Sequence, residues 1–597
     1  MSKNQKILLA LIIGVAAFLR IYKLSSVPVS MFGDELDVGY HAYSLLKTGK
    51  DYSGNFLPIH LHSLAEWRTP LYIYSAIPTV AIFGITPLGV RLPAAIFGIL
   101  SVLAFYLLVR EIRTQFLKIA KRSEVRLWRK NLPDWNLEDY AAMLLALSPW
   151  HIQYSRAGFE VTQMLLFLLL GIYFFFRSLN EKGRYLWLSM ICFALMPWIY
   201  STAKLFTPFL LLSLALLWFK EIIRFPKANL ILGIAALLVV GSPIAWSTLY
   251  GGGTARFNYI SVFSDPTIEP EVGTARLHDA NFRGETTAGL QPTVVDRMFH
   301  NKVVFWSGKI VGNYFQTFSG SFLFNEGDPN PRHSVDGIGE FYRIEVIPFV
   351  VGLIYFFGKS NNKKLKALLL FWILAGALPA AITRDGGNHA TRLILILPPL
   401  VFLIAYGVIS FPKNIYPKLP PYILHTTYYM LFIAGFIFYQ HNFWTHNPWQ
   451  SERWWHTGWG EAIHSVKAYE KDYETVAISS ADEPPWIFFA AHYQYDPADW
   501  HVNFPIGNDI ETKTFGKVSH IGKFLFGSPS GGVYDWGKSL DAKTLYLASA
   551  KEVNVNLIRE PERTPKDLRL IKSIAYPSGE PAFYLFTGKS STPNELE

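Results

Sequence analysis

The sequence predicts a mainly α, polytopic membrane protein of about eleven transmembrane helices, N-terminus inside, with large outer loops and a C-terminal outer α/β domain. Three observations carry this prediction. Only 17% of the 597 residues are charged, against about 25% in an ordinary soluble domain. Apolar runs near the length a helix needs to cross a bilayer, roughly 17–25 residues, recur from the N-terminus to residue 440. Lys and Arg gather in every second connection between those runs.

The first run, ILLALIIGVAAFL after MSKNQK, has the flanks of a signal peptide, but RIYKL follows where a small-x-small cleavage site would stand. It is read as an uncleaved span, 7–23. Further spans are expected at 90–110, 139–155, 162–178, 185–200, 204–220, 228–247, 344–358, 367–382, 391–409 and 420–439. The segment PLYIYSAIPTVAIFG (70–84) is apolar, short and carries Pro78 in its middle. Laid in the interface, it leaves Lys3 and Lys6, the basic stretch from Arg110 to Lys130, Arg177, Lys182 and Arg184, Lys220, Arg224 and Lys227, Lys359 to Lys366, and Lys413 and Lys418 on one side. Drawn across the membrane, it would send the Arg110–Lys130 cluster outside and break the alternation. The outer side then receives the loops 24–89 and 248–343. The chain divides into a membrane domain, 1–440, and an extracytoplasmic domain, 441–597.

The second region has a different texture. TVAISS (475–480) and TLYLASA (544–550) read as strands, GEAIHSVKAYEKD (460–472) as an amphipathic helix, and LRLIKSIAYPSGEPAFYLF (568–586) as a hairpin across a Pro/Gly turn. The tail GKSSTPNELE reads as disordered. No internal repeat is visible.

The net charge of +10 sits in the short basic connections, where it orients the chain, so it argues for no nucleic-acid partner. Cys192 is the single cysteine, which excludes a disulfide framework and a cysteine metal centre. No glycine-rich nucleotide-binding loop follows a strand.

Function is sought on the outer side, where FGDELDVGYHAYSLLKTG (32–49) places Asp34, Glu35 and Asp37 beside a membrane surface. Outer loops should be poor in Lys and Arg, yet Arg156, Lys204, Arg384 and Arg392, with His389, fall at the outer ends of spans. Snorkelling or local pairing accounts for any one of them. Three loops supplying cations near carboxylates point together to an anionic ligand. The second loop adds GDPNPRHS (327–334), turn chemistry that either makes a rigid surface loop or presents Asp328, Asn330, Arg332 and His333 to a ligand. His300 is read as structural. Adjacent carboxylates serve either as a general base with a supporting group or as oxygen ligands of a divalent cation. The residues leave that choice open. Four tryptophans in WQSERWWHTGWG, namely Trp449, Trp454, Trp455 and Trp459, are read as docking the outer domain onto the surface beneath it, with a carbohydrate platform as the alternative.

These motifs together resemble the GT-C superfamily of integral-membrane glycosyltransferases, in particular the bacterial protein O-mannosyltransferase-like and lipid A aminoarabinose transferase-like enzymes. The resemblance covers most of 1–440 and rests on GDEL (33–36), TPLYIY (69–74), RLPAAIFGILSVLAFYLLVREI (91–112), LSPWHIQYSR (147–156), GDPNPRHS (327–334) and HATR (389–392). It implies transfer of a hexosyl or pentosyl group from a polyprenyl-phosphate-linked donor to a protein, lipid or cell-envelope glycan acceptor at the outer membrane face, with inversion. By the same resemblance Asp34 is the expected base and Glu35 its support or the acceptor's guide, with Asp37 a further acceptor candidate. Arg156, Lys204, Arg384, Arg392 and His389 are expected to serve the donor phosphate. Relatives differ in metal use, and a divalent cation here would fall to Asp34 and Glu35. Glu160 stands where relatives place Asp, which leaves its role undefined. The competing class is a transporter or flippase of a glycolipid-type substrate. Transporters usually show internal repeats and ionisable groups deep in their spans; neither is visible here.

Overall fold

The computed structural model describes residues 2–64, 66–115, 135–251, 253–284, 292–360, 362–414, 421–503, 518–529 and 531–589. The basic stretch expected at 118–130, Lys418 and residues 590–597 of the tail lie outside these residues.

Helices occupy the places where apolar runs demanded them. Among the described residues six are long and apolar enough to cross a membrane: Lys3–Ile21, Pro87–Gln115, Val161–Asn180, Lys227–Tyr250, Lys363–Ala381 and the run Ala390–Ser410. Leu186–Trp198 and Thr202–Leu217 are apolar but shorter, and Val346–Lys359 and Pro421–His441 cover two more of the expected segments. The expected span 139–155 is two helices, Leu137–Leu147 and Pro149–Arg156. Pro149 explains the break: the residue before a proline is pushed into extended backbone, and Ser148 adopts ψ 127°. The segment expected to lie in the interface is the helix Leu71–Phe83, interrupted in sequence by Pro78. Its 13 residues span only about 20 Å of the roughly 30 Å hydrocarbon layer. The second expected outer loop is largely helical, with Ile268–Phe282 and Lys302–Gln316 its longest elements.

The chain divides into two compact units: Met1–Leu19, Phe97–Tyr154 and Glu160–Tyr439 form the first, and Arg20–Ile96, Ser155–Phe159 and Gln440–Glu597 the second. The first is helical. The second contains, among the described residues, eight strands: β1 (Leu61–Ser63), β2 (Glu66–Arg68), β3 (Thr475–Ile478), β4 (His520–Ile521), β5 (Phe524–Phe526), β6 (Thr544–Ser549), β7 (Leu568–Ala575) and β8 (Pro581–Gly588). β1 and β2 make an antiparallel hairpin, and the other six form one sheet in the order β4-β5-β3-β6-β8-β7. β3 runs parallel to β5 and β6; the remaining pairs are antiparallel.

Successive strand residues point to opposite faces. Leu545 and Leu547 of β6, with Phe583 and Leu585 of β8, enter one core; Tyr546, Ala548, Tyr584 and Phe586 enter another. A sheet covered on both faces needs apolar residues at every position, which is why TLYLAS lacks an alternating pattern. The first core also receives Leu36, Tyr40, Tyr52 and Tyr72 from the loop after the first span. Helix Gly33–Thr48 is bound to this core by Tyr40, whose hydroxyl donates to the Tyr495 carbonyl at 3.1 Å.

Candidate active site

The acidic cluster lies in the second unit. Helix Gly33–Thr48 opens with Phe32 in extended backbone and carries Asp34 and Glu35 in its first turn, where negative charge meets the positive end of the helix dipole. Adjacent helical residues point about 100° apart. The two carboxylates accordingly have unlike surroundings.

Glu35 is sealed in. Its Oε1 accepts from Arg91 Nε and from the Gly158 amide, each at 2.7 Å, and its Oε2 accepts from Arg91 Nη2 at 2.7 Å. Neither side chain is exposed. Arg91 also donates to the carbonyls of Pro28 at 2.8 Å and of Ser30, and its guanidinium lies 5.5 Å from the Trp455 ring centroid. Any side chain at 158 would crowd this pair: a Cβ there would stand 2.9 Å from Val90 Cγ1 and 3.3 Å from Glu35 Oε1.

Asp34 faces outward, with its side chain 43% exposed, and its Oδ1 lies 2.7 Å from Arg68 Nη2. The β1–β2 hairpin delivers that arginine, pairing Arg68 with Leu61 and setting Ser63 opposite Glu66. Arg68 Nε also stands 3.5 Å from Asp37 Oδ2. Asp37 is buried one turn further along. It accepts from the Tyr52 hydroxyl at 2.7 Å and from the Ser63 hydroxyl at 2.6 Å. Burial raises its carboxyl above the usual value of 3.8, against the pull of Arg68 and the two hydroxyls. His41 stacks on Tyr52 with ring centroids 3.7 Å apart. Burial pushes its imidazole down to about 3, so it is neutral beside Asp37.

Arg156 belongs to the same unit. It is fully buried, donates to the carbonyls of Val27 at 2.8 Å and Lys23 at 3.2 Å, and stacks over Trp444 at 4.7 Å and Phe443 at 5.5 Å. These contacts tie the segment after the first span to the residues around 443. Of the four tryptophans after Pro448, Trp455 and Trp459 are buried and Trp449 and Trp454 are half-exposed. Trp459 stacks on Phe488 at 4.6 Å inside the first core.

The remaining expected residues lie in the first unit. Lys204 donates to the Gly253 carbonyl at 3.2 Å. Arg384 donates to the carbonyls of Ser264 at 3.0 Å and Ser261 at 3.4 Å. Arg392 is nearly buried and donates to Asp385 Oδ1 and Thr383 Oγ1, each at 2.7 Å.

GDPNPRHS is closed on itself by its own turn hydrogen bonds, with Asp328 and His333 buried. Gly327 adopts φ 75°, and a Cβ there would meet the Ile338 carbonyl at 2.7 Å. Asp328 Oδ1 accepts from the Asn330 amide at 2.9 Å, and Asn330 Oδ1 from the Arg332 amide at 3.0 Å. Gln153 donates to the Arg332 carbonyl at 2.7 Å. Asp328 Oδ2 accepts from the Ala390 amide at 2.8 Å, which draws His389 alongside at 3.8 Å. His333 comes within a ring-centroid distance of 4.9 Å of His389.

Sequence reasoning placed the acid pair and missed its cationic partners. Arg68 and Arg91 were both visible, one in an expected outer loop and one at the expected outer end of a span, where cations need a reason. Ser63, Tyr52 and His41 carried no sequence signal. For metal binding by the acid pair, both Glu35 oxygens already accept from Arg91, and Asp34 is paired with Arg68.

No protein-family model and no curated protein matches the chain. Among solved structures it is similar to ArnT from Cupriavidus metallidurans bound to undecaprenyl phosphate, with TM-score 0.48 and 9% identity over 98% of each chain. It is similar to apo ArnT from the same organism with TM-score 0.41 and 9% identity, over 96% of this chain and 97% of that one. With the S. cerevisiae protein O-mannosyltransferase Pmt1–Pmt2 complex bound to the sugar donor, the TM-score is 0.30 and the identity 19%, over 43% of this chain and 34% of that one.

Proposed function

We propose that the chain is a membrane glycosyltransferase that moves a sugar from a polyprenyl-phosphate-linked donor to an acceptor hydroxyl at the outer membrane face. The observation that carries this reading is the divided environment of the acid pair. Glu35 is locked by Arg91 and the Gly158 amide, whereas Asp34 beside it is 43% exposed and held by Arg68. An exposed, oriented carboxylate next to a rigid frame suits a general base, a role worth typically ~10²–10⁴ in rate. The motifs that resemble GT-C enzymes converge on the same residue.

In the proposed step Asp34 takes the acceptor's hydroxyl proton while the hydroxyl oxygen attacks the anomeric carbon. The bond from that carbon to the phosphate oxygen breaks, its electron pair leaves with polyprenyl phosphate, and the configuration inverts. Glu35 acts as a positioning residue, since its oxygens are committed to Arg91 and Gly158. Arg384 is the leading candidate for the donor phosphate, because, unlike the fully buried Arg156, it is part-exposed, and its described donors go to carbonyls rather than to a carboxylate. Lys204 is a second candidate. Arg392 already faces Asp385, and Arg156 is committed to its aromatic and carbonyl partners.

The test is release of free polyprenyl phosphate by purified full-length protein offered a panel of polyprenyl-phosphate sugars with candidate acceptors. Asp34→Asn should lower turnover by roughly 10²-fold or more with the fold intact. Release unchanged by Asp34→Asn would remove Asp34 from catalysis. Donor binding without turnover for every acceptor would favour the transporter.

A further inference from the structure

We infer that Asp328, His333 and His389 form a binding site for one divalent transition-metal cation of the Zn²⁺ class. The inference does not depend on the proposed transferase activity. One ligand atom from each of the three side chains lies within 4.8 Å of the others. They come from two segments far apart in sequence, the GDPNPRHS loop and HATR. Asp328 and His333 are buried, and His389 is 19% exposed, which gives the cluster one side open to the surroundings.

The chemistry of the donor set names the cation class. One carboxylate and two imidazoles form a mixed oxygen–nitrogen set, which suits Zn²⁺ and its first-row neighbours; Ca²⁺ and Mg²⁺ prefer all-oxygen ligands. Zn²⁺ bonds of about 2.0–2.2 Å in a tetrahedron put ligand atoms roughly 3.4 Å apart. His389 Nδ1 and Asp328 Oδ2 are already 3.8 Å apart. No pair of the three ligand atoms is more than 4.8 Å apart. Three protein ligands leave a fourth position for water or an oxygen of a bound molecule, the pattern of open rather than closed zinc sites.

The surroundings hold the ligands as a metal centre requires. A metal-bound histidine usually donates its other ring N–H to a fixed acceptor, which sets its tautomer. His333 Nδ1 lies 3.0 Å from the Tyr154 hydroxyl and 3.2 Å from the Thr391 hydroxyl, and those hydroxyls are 2.7 Å from each other. With the Nδ1 proton donated to one of these hydroxyls, Nε2 is left with the lone pair a cation takes. Asp328 is oriented by the amides of Asn330 and Ala390. The nearby cation Arg392 is offset by Asp385 at 2.7 Å. The turns at Asp328 and Asn330, closed by the amides of Asn330, Arg332 and His333, carry the chain round so that Asp328 and His333 converge.

The test uses the full-length protein in detergent, stripped with EDTA and dialysed against ZnCl₂, with metal per chain read by mass spectrometry. The expected result is one Zn²⁺ per chain, with affinity at least tenfold weaker in His389→Gln and Asp328→Asn. His389→Gln replaces the most exposed of the three, so its melting temperature without metal should match wild type. Loading with Co²⁺ gives an independent readout. Visible d–d bands should appear in wild type and be lost in His389→Gln. A wild-type chain that takes up no Zn²⁺, or uptake equal in wild type and both variants, overturns the site.

Discussion

Arg91→Ala tests whether the sealed ion pair holds the frame of the acid cluster. Both partners are fully buried, and Arg91 supplies two of the three hydrogen bonds to Glu35. Removing it leaves a buried carboxylate with the Gly158 amide, and strips donors from the carbonyls of Pro28 and Ser30. Breaking a buried pair from one side costs about 3–5 kcal/mol. That is a large share of the ~5–15 kcal/mol that holds a typical domain together. Asp34→Asn provides the contrast, because the Asp34–Arg68 pair is part-exposed and such pairs contribute about 0–1 kcal/mol. Urea unfolding of the detergent-purified protein, followed by tryptophan fluorescence, reads both losses. The double variant Glu35→Leu/Arg91→Leu should lose less than Arg91→Ala, since no buried charge is stranded. A loss below about 0.5 kcal/mol for Arg91→Ala would place it among ordinary surface changes and refute the reasoning.

Gly158→Ala should cost about 1–3 kcal/mol in the same assay, because its Cβ would press on Val90 and Glu35; a neutral result would show that the 155–159 segment yields freely. For Asp37→Asn the prediction concerns pH. The Asp37 carboxyl is raised by burial, so between its ordinary value of 3.8 and its folded value the native state binds more protons than the unfolded one, and wild-type stability falls as pH rises. The variant lacks this loss, so its stability relative to wild type should climb across that window; a difference independent of pH would contradict the burial argument. A reporter inserted after Gln115, at the end of the helix that begins at Pro87, should read as cytoplasmic. An external reading would make Leu71–Phe83 a crossing helix and invert the assignment of sides.

The sequence by itself determined where the long apolar helices form, because in lipid an apolar run has no water to satisfy its backbone and bonds to itself as a helix. It determined β3 and β6 from their apolar runs, the β7–β8 hairpin from the Pro and Gly between its strands, and the turn of GDPNP, whose Asp and Asn side chains bond their own backbone. It also exposed the Asp34–Glu35 pair. It did not reveal that the span expected at 139–155 is broken, although Pro149 was the cue. β4, β5 and the helix Pro485–Tyr493 went unread, the strands being two and three residues long.

Only tertiary structure decided what each charge does. Arg91 and Arg68 sit 56 and 34 residues from the carboxylates they meet. No local pattern records such a pairing, because a hairpin register and a helix rotation set it. The same holds for Arg156, turned inward onto Trp444, and for Asp328, His333 and His389, which the turns at Asp328 and Asn330 and one amide hydrogen bond to Ala390 bring together. Local propensity acts over a few residues and is written along the chain. Burial, ion pairing and ligand geometry depend on distances through space, which exist only once the chain has folded.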